Sequence, residues 1–303
     1  MNRIIDYIKN PSMLLAHFIR GKAQWMSDER YLKILFKANM GYALDLKNPK
    51  TFNEKLQWLK LYNRKSEYVQ MVDKASAKDY AASLIGSQYI IPTIGVWEKF
   101  DDINFDDLPN QFVMKCTHDS HTVVICMDKK NFDIEKARET IEHGMNTNYY
   151  LNAREWPYKN VKPQIIVEQN INLTLGEDLH DYKFYCFDGK PKVVCVASDR
   201  HSNRGLKIDY YDINKNRLQL KSGDYKNSEG LFKFPDRYEE MVAIAAKLSQ
   251  GIPHVRVDLY CVNEKIYFGE LTFFDSAGFV PLNPVKWDEI WGSWIELPEK
   301  TIQ

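Results

Sequence analysis

Two strand-like apolar runs near the C-terminus carry charged side chains, which are costly inside a sheet unless they bind something. The runs are VRVDLYCV at 255–262 and KIYFGELTF at 265–273, and the polar break around Glu264 predicts a β-hairpin. If the turn is centred on Glu264, Asp258 lies opposite Glu270, because the numbers of paired antiparallel residues add to a constant. Opposed carboxylates with Cβ atoms roughly 4.5 to 5.5 Å apart repel unless water or a cation lies between them. The pair therefore predicts a divalent cation site, and magnesium, completed by waters and phosphates, suits such oxygen ligands.

The predicted hairpin has one polar and one apolar face. Side chains alternate at period two along a strand, so Arg256 and Thr272 project on the same side as Asp258 and Glu270. The aliphatic and aromatic residues between them project on the other side and predict a core face. The alternative is a hairpin whose two acids are solvated on a wet face.

A second group of polar residues follows the strand-like run FVMKC. Lys115 lies within this run, where an amine is costly unless it is paired or reaches a charged ligand. The next residues are His118, Asp119, Ser120 and His121, in a loop at 117–121 whose successive backbone N–H groups could hold a phosphate. The alternatives are a lysine that reaches the surface along its apolar stem and histidines that are simply exposed in a turn.

Four further residues give weaker signals. Lys74 and Lys78 are four apart on one face of a predicted helix, which is also the pattern of a solvated face. Glu168 ends the run PQIIVE and opens a polar segment whose backbone groups could bind a flat heterocycle. Lys183, in the run DYKFYCF, is either a charge at a sheet edge or a phosphate ligand.

Composition limits the classes of partner. The chain has 303 residues, 44% of them hydrophobic and 13% aromatic, which is enough to bury a large core. Lysine plus arginine and aspartate plus glutamate each number 41, so no global charge attracts nucleic acid or anionic lipid. Ligands must therefore be inferred from local sites, and we expect no nucleic-acid partner.

Cysteine usage and hydropathy bear on location. The five cysteines form no CxxC pair and stand in apolar runs, as expected for reduced thiols in the cytoplasm. No apolar run approaches the roughly 18 residues of a membrane span. The N-terminus is a poor signal peptide because Asp6, Lys9 and Pro11 interrupt it. It predicts an amphipathic helix that packs on the domain, the alternative being a helix that lies on a membrane.

The predicted elements indicate an α+β protein with mainly antiparallel sheets. Residues 1–85 are mainly helical in pattern, and Thr51 with Glu54 predicts a capping box. Strand-like runs dominate from 86 onward, with a hairpin turn predicted at Asp188-Gly189 and helices near 132–153 and 237–250.

The order of these motifs resembles the ATP-grasp superfamily. Within it, the segments KTFNEKLQWLKLY, VDKASAKDY, FVMKCTHDS, DYKFYCFDGKPK, RVDLY, YFGELTF and WIELP are similar to the TupA-like family, named for teichuronopeptide biosynthesis. The match spans roughly residues 40–298. It implies two α+β lobes that clasp ATP after an N-terminal helical segment. The implied divisions are 1–85, a small lobe at 86–165 with the phosphate loop, and a C-terminal lobe at 166–303 with the metal and acceptor sites.

The resemblance also implies roles for individual residues. Those implied to contact ATP are Lys74, Lys115 and Lys183 at the phosphates, His118, Asp119 and Ser120 in the covering loop, and Glu168, Gln169 and Ile171 at the adenine hinge. Those implied to bind magnesium are Asp258, Glu270 and Thr272, the last standing where many relatives have asparagine. Those implied to act on the substrate are Arg256 and Lys183 as catalytic groups and Ser276 and Gly278 in the acceptor loop.

One segment departs from the pattern of the family. Many relatives build the phosphate loop from glycines, whereas this chain has Asp119 and His121 there. An acid beside a triphosphate repels it, so Asp119 could instead bind magnesium or orient an acceptor amine, and His121 could donate to phosphate.

The implied activity is that of an ATP- and Mg²⁺-dependent carboxylate–amine ligase. It would join an amino acid or amine to a uronic acid in bacterial cell-surface polysaccharide biosynthesis through an acyl-phosphate, in the cytoplasm and in peripheral association with membrane-bound polysaccharide machinery. The sequence leaves three alternatives open: a glycosyltransferase that uses a metal-bound nucleotide sugar, a glycan kinase and a nucleotide-binding scaffold.

Overall fold

The computed structural model describes residues 11–171, 180–198, 206–230 and 232–301. The first ten residues of the predicted N-terminal helical region lie outside the described residues. The helices in the described ranges are α1 Pro11–Ile19, α2 Asp28–Met40, α3 Phe52–Tyr62, α4 Glu67–Val72, α5 Ser76–Ile85, α6 Ile134–Met145, α7 Tyr150–Ala153, α8 Tyr238–Leu248 and α9 Lys286–Trp294.

The described strands form two larger antiparallel sheets and one short pair. Their bounds are β1 Thr93–Trp97, β2 Phe112–Cys116, β3 Val123–Cys126, β4 Ile165–Gln169, β5 Asp181–Phe187, β6 Lys190–Ser198, β7 Lys207–Asp212, β8 Lys221–Ser222, β9 Val255–Val262, β10 Lys265–Thr272 and β11 Leu282–Asn283. The four-stranded small sheet has the order β1-β4-β2-β3, the five-stranded large sheet has the order β10-β9-β5-β6-β7, and β8 pairs with β11. The predicted α+β class with mainly antiparallel sheets is confirmed.

The small sheet packs one face against helix α6. Phe112, Met114 and Cys116 alternate along β2 and are fully buried in a cluster with Ala137 and Ile141 of that helix. Alternation leaves the other face of β2 for polar residues.

The large sheet carries the main core. Val257 and Leu259 of β9 and Leu271 of β10 are almost completely buried, which confirms the predicted apolar face of the C-terminal hairpin. Burial of each such aliphatic side chain stabilises the fold by about 1.5–3 kcal/mol. The hairpin between β5 and β6 turns at Asp188-Gly189, both with positive φ, as predicted.

Local signals in the helical region are also confirmed. Thr51 caps helix α3 by accepting from the backbone N–H of Glu54 at 3.2 Å, and the Glu54 carboxylate accepts from the Thr51 N–H at 3.1 Å. Helix α5 ends at Ile85, and Gly86 follows with a φ of +100°. All five cysteines are free thiols. None of the helices in the described ranges has the length and apolar character needed to cross a bilayer.

Candidate active site

The C-terminal hairpin brings Asp258 and Glu270 opposite each other, as predicted. The predicted turn was wrong in detail, because a two-residue turn at Asn263-Glu264, with φ of +49° and +58°, places Lys265 already in β10. The register then shifts by one between Phe268 and Glu270. Gly269 occupies this bulge, where an added Cβ would lie only 3.0 Å from the backbone oxygen of Asp258.

Arg256 is the centre of an ion-paired group on the polar face of the large sheet. Its guanidinium donates to both carboxylate oxygens of Asp258, at 2.7 Å each, and to Glu270 Oε1 at 3.4 Å. It also donates to Asp275, just beyond β10. Such two-pronged guanidinium–carboxylate pairs fix geometry as well as charge.

Lys183 approaches the same group from the neighbouring strand. It lies directly opposite Asp258 in the β5–β9 ladder, and its Nζ donates to Asp258 Oδ2 at 2.5 Å. A second carboxylate, Asp181, lies 3.4 Å from the same amine. Burial lowers the pKa of Lys183, but the carboxylates of Asp258, Asp181 and Glu270 together outweigh it and hold the pKa above its ordinary value. The structure therefore places Lys183 within the site.

The group has an excess of negative charge. Its members are two cations and four carboxylates: Arg256, Lys183, Asp181, Asp258, Glu270 and Asp275. The formal net charge is thus −2, which matches a divalent cation. The Asp258 side chain is 4% exposed and that of Glu270 40% exposed, so Glu270 opens toward solvent. Thr272 Oγ1 donates to Glu270 Oε1 at 3.2 Å and holds this carboxylate.

Glu168 is buried between two lysines on the polar face of the small sheet. Lys115 Nζ donates to Glu168 Oε2 at 2.6 Å, and Lys78 forms a second ion pair with the same carboxylate. Burial raises the pKa of Glu168, but the two lysines outweigh it and hold the pKa below its ordinary value. Beyond Glu168, Gln169 is exposed and Ile171 is half-buried where the strand ends.

Lys78 and Lys74 have different partners. Lys78 Nζ also donates to Ile91 O at 2.8 Å and to Thr93 Oγ1 at 2.9 Å. Lys74 Nζ donates to the backbone oxygens of Cys116, at 3.0 Å, and Asp119. Lys74 therefore stabilises the loop that follows β2, whereas Lys78 and Lys115 both form ion pairs with Glu168.

The loop at 117–121 is held by its own polar residues. His118 and Asp119 are buried, whereas Ser120 and His121 are exposed. The His118 ring lies 3.2 Å from Thr147 O, and the Asp119 carboxylate accepts from the hydroxyl of Thr122. Asp119 thus closes a turn and pairs with Lys74, at 3.6 Å, so its charge is partly neutralised. The exposed tip keeps Ser120 and His121 available to a ligand.

Exposed apolar residues adjoin Lys115. Cross-strand pairing places Val123 opposite Lys115 and Ile125 opposite Val113, so all four share one face of the small sheet. Val123 and Ile125 are exposed although they are aliphatic residues in a sheet. An apolar platform beside a lysine can hold a planar heterocycle with a phosphate tail.

Charged groups of the two sheets act on common side chains. Burial raises the pKa of Tyr260, and carboxylates of both sheets, Glu270 of the large one and Glu168 of the small one, raise it further. Tyr149 likewise interacts with Glu270 and hydrogen bonds with Ser120 of the loop. The lysine pair, the loop tip and the carboxylates of the hairpin are therefore within electrostatic reach of common side chains.

The predicted acceptor loop has a strained backbone. Ser276, Ala277 and Gly278 have φ of +48°, +53° and +63° in succession, and a non-glycine residue in this region costs about 1–2 kcal/mol. Two fully buried residues of helix α3 hold the loop. Gln57 Nε2 donates to Gly278 O at 2.8 Å, and Lys60 Nζ donates to Ala277 O at 2.7 Å.

Lys60 also links this loop to the C-terminal end of α7. Its Nζ donates to Ala153 O at 3.0 Å, and burial lowers its pKa although the Glu155 carboxylate acts in the other direction. Burial raises the pKa of Glu155, and the positive charge of Lys60 partly offsets this rise. Asp275 raises the same pKa further, and Arg256 lowers it. A buried amine and a buried acid thus lie beside the acceptor loop.

Comparison with protein families identifies the group of proteins to which this arrangement belongs. A family model described as TupA-like ATP-grasp matches residues 54–296, which is most of the chain. The chain belongs to the TupA-like ATP-grasp family. The resemblance of the sequence motifs and the ATP-grasp fold are thereby confirmed, and membership indicates an ATP-binding protein of the ligase type.

Solved structures with detectable similarity are distant from this ATP-grasp chain. D-alanine–D-alanine ligase from Bacillus anthracis complexed with ATP is 15% identical with a TM-score of 0.39, and the match covers 67% of this chain and 55% of that one. The corresponding ligase from Helicobacter pylori is 14% identical with a TM-score of 0.43, covering 82% and 69%. ATP-grasp ligase PsnB complexed with minimal precursor, Mg and ADP is 11% identical with a TM-score of 0.38, covering 73% and 57%. The chain thus spans little more than half the length of the Bacillus anthracis structure. A search of curated proteins found no match.

The residues of this ATP-grasp chain fit a magnesium ion. Asp258 and Glu270 supply facing hard oxygen donors, and the surrounding group has the formal charge that a divalent cation would neutralise. Within the described ranges, no cluster of three or more His, Cys, Asp or Glu residues has metal-binding geometry. A site with two protein carboxylates, completed by phosphates and water, agrees with both observations.

Several residues near the polar groups of this ATP-grasp chain were given no site role from the sequence. They are Lys78 at Glu168, Asp275 at Arg256, Gln57 and Lys60 under the acceptor loop, and Val123 and Ile125 on the small sheet. Lys78 was singled out with Lys74 by their spacing of four, but the predicted common helical face was wrong, because Lys74 lies in the turn before α5. For Gln57 and Lys60 it was absent, because polar residues in an amphipathic helix predict a solvated face.

Proposed function

We propose that this protein is an ATP- and Mg²⁺-dependent carboxylate–amine ligase. The observation that carries the proposal is the ion-paired group on the large sheet, in which Asp258 and Glu270 face each other around Arg256 with a net charge of −2. Family membership supports the ATP-dependent ligase class, and Lys115 of the small sheet supplies a cation for phosphate.

Binding of the nucleotide is assigned to the small sheet and the loop. Lys115 is the cation for the phosphates, Lys78 holds Glu168 beside it, and the platform of Val123 and Ile125 suits the adenine. Asp258 and Glu270 would hold a magnesium ion, which would supply charge neutralisation between the phosphates. Because Lys115 is paired with Glu168 in the free protein, phosphate would compete with this carboxylate for the amine.

The chemistry then requires positioning more than a protein nucleophile. A substrate carboxylate attacks the γ-phosphorus of ATP, which forms an acyl-phosphate and releases ADP. An amine attacks the acyl carbon, loses a proton, and displaces inorganic phosphate to leave an amide. We assign to Arg256 the stabilisation of the oxyanion of this second step, because its guanidinium lies beside the two carboxylates proposed to hold magnesium.

The substrate class rests on the family alone. We propose a uronic acid as the carboxylate and an amino acid or amine as the nucleophile, in bacterial cell-surface polysaccharide biosynthesis. The strained loop at Ser276–Gly278 adjoins Arg256 through Asp275 and is the segment against which the acceptor would lie.

The test is turnover with a substrate panel. Purified protein is incubated with ATP, Mg²⁺, uronic acids and amino acids, and ADP, inorganic phosphate and product mass are followed together. A ligase forms equal amounts of ADP, phosphate and amide, and Asp258→Asn abolishes all three. Asp212→Asn is the matched control, because this aspartate of the same sheet accepts a hydrogen bond from the side chain of Asn216 in the turn that follows β7. ADP without free phosphate would indicate a kinase, and binding of a nucleotide sugar without ATP consumption would indicate a glycosyltransferase; either result refutes the ligase.

A further inference from the structure

Helix α1 is apolar on two opposite sides. Ala16 and Ile19 are buried against the rest of the protein, whereas Leu14 is 43% exposed and Phe18 is 65% exposed. Leu14 and Phe18 are four residues apart and therefore lie on one face, away from the buried pair. A helix that is apolar all round is normally covered on every side. Within the described residues, the outer face of α1 is uncovered.

A large aromatic residue follows in the next turn. Trp25 is 77% exposed, although its neighbours Ala23 and Met26 are buried. Tryptophan is an amphipathic side chain that favours the boundary between water and lipid, where its ring is buried and its N–H stays solvated. The exposed face of α1 and Trp25 together form what we term the N-terminal apolar surface, comprising Leu14, Phe18 and Trp25.

The segment that carries this surface has basic residues and no acidic ones. Residues 11–27 contain Arg20, Lys22 and His17 but no aspartate or glutamate, although the chain as a whole has 41 acidic and 41 basic residues. Arg20 and Lys22 are exposed, and neither forms an ion pair with a described residue. Local positive charge beside exposed apolar groups complements an anionic surface. It also opposes self-association, because two copies of this surface would bring like charges together.

The segment is firmly attached to the protein. Arg154 Nη2 donates to Ala23 O at 2.6 Å, and the Gly21 N–H donates to the Tyr31 hydroxyl at 3.3 Å. That hydroxyl donates in turn to Leu151 O at 2.9 Å. Anything that binds α1 would therefore orient the whole molecule.

We propose that the N-terminal apolar surface docks the protein on an anionic lipid bilayer. Phe18, Leu14 and Trp25 enter the interface between headgroups and acyl chains, and Arg20 and Lys22 pair with lipid phosphates. Large apolar side chains next to cations, without acids, are the pattern of helices that lie in the plane of a membrane surface. The bilayer is favoured over a protein partner because it needs no shape complementarity from so short a helix.

The test is cosedimentation with lipid vesicles in the absence of nucleotide. We expect the protein to bind vesicles of phosphatidylcholine with phosphatidylglycerol, to bind pure phosphatidylcholine vesicles more weakly, and to lose binding as salt increases. Leu14→Gln with Phe18→Gln should weaken binding to anionic vesicles by about tenfold or more, since it removes the groups that insert. Arg20→Glu with Lys22→Glu should abolish the preference for anionic lipid.

Two controls make the outcome decisive. Val285→Gln changes an aliphatic residue that is 69% exposed at the start of α9, and it should leave vesicle binding unchanged. Circular dichroism should show that the surface variants remain folded. Absence of vesicle binding, equal loss in Val285→Gln, or a dimer in sedimentation velocity that the Leu14 and Phe18 substitutions dissociate would each overturn the proposal. The assay uses no ATP, so its result is independent of the ligase activity.

Discussion

Lys183 and Asp258 lie directly opposite each other on adjacent antiparallel strands, with the amine 2.5 Å from the carboxylate. Asp258 also receives two hydrogen bonds from Arg256. A buried carboxylate with two cationic partners is stabilised in its charged form, and this has consequences for stability as well as for ligand binding.

Loss of Lys183 should make the protein less stable toward acid. Burial raises the pKa of Asp258, but Arg256 and Lys183 outweigh it and hold the folded-state pKa below the ordinary value of 3.8. The stabilisation is therefore fully present above the unfolded pKa and is lost as the pH falls through the folded pKa. In Lys183→Met the folded pKa of Asp258 rises, so unfolding in acid should begin at higher pH.

The measurement is the free energy of unfolding in urea from about pH 7 to about pH 3. Lys190→Met, an exposed lysine at the far end of the same hairpin, is the control and should follow the wild-type curve. Identical acid profiles for wild type and Lys183→Met would refute the electrostatic account.

Thr272 should affect magnesium through Glu270. Its hydroxyl donates to Glu270 Oε1, so Thr272→Val keeps the shape of the side chain and frees the carboxylate. Removal of such an orienting partner weakens metal binding by about 10–100-fold. Calorimetric titration of ADP at several magnesium concentrations should show weaker magnesium dependence in Thr272→Val and none in Glu270→Gln. An unchanged dependence in Glu270→Gln would exclude this carboxylate as a ligand.

Substitution of the two lysines at Glu168 should have different effects, one on ATP affinity and the other on the free energy of unfolding. Lys115 is the more exposed, and Lys115→Ala leaves Glu168 paired with Lys78, so ATP binding should weaken while the fold persists. Lys78 is buried and also donates to Ile91 and Thr93, so Lys78→Met should lower the free energy of unfolding by about 3–5 kcal/mol. Urea denaturation and ATP titration of both variants check this division, and equal effects of the two substitutions on both quantities would contradict it.

Lys60 and Glu155 should be energetically coupled. Lys60→Met should destabilise the fold, because it removes three hydrogen bonds of a buried amine and the charge that partly offsets the burial of Glu155. The double variant Lys60→Met with Glu155→Gln should be more stable than the sum of the single effects, by about 1–3 kcal/mol. Lys55→Met is the control, because this lysine of the same helix donates to Ile295 O and interacts with Glu296, away from Glu155. Additive effects in urea denaturation would show that the two residues do not interact.

The sequence predicts the hairpin site well because its information is local. A turn centred on Glu264 predicts Asp258 opposite Glu270; the observed turn alone would pair Asp258 with Gly269, and the bulge at Gly269 restores the predicted pairing. The choice between Lys74 and Lys78 could not be made from spacing, because Lys74 lies in the turn between α4 and α5 and not in the helix that carries Lys78, and only the approach of β4 decides which meets Glu168. Gln57 and Lys60 could not be predicted, since their partners are backbone oxygens more than 90 residues away.

The bulge at Gly269 has a consequence for the geometry of the metal site. In a hairpin without this glycine, the strand pairing set by the Asn263-Glu264 turn would continue without a shift. Glu270 would then still lie opposite Asp258. The additional residue is therefore not required to bring the acids together. A bulge bends its strand and increases the local twist, so Gly269 sets the angle at which Glu270 reaches toward its neighbour. Deletion of Gly269 would keep Asp258 opposite Glu270 but would change the direction in which the Glu270 side chain points.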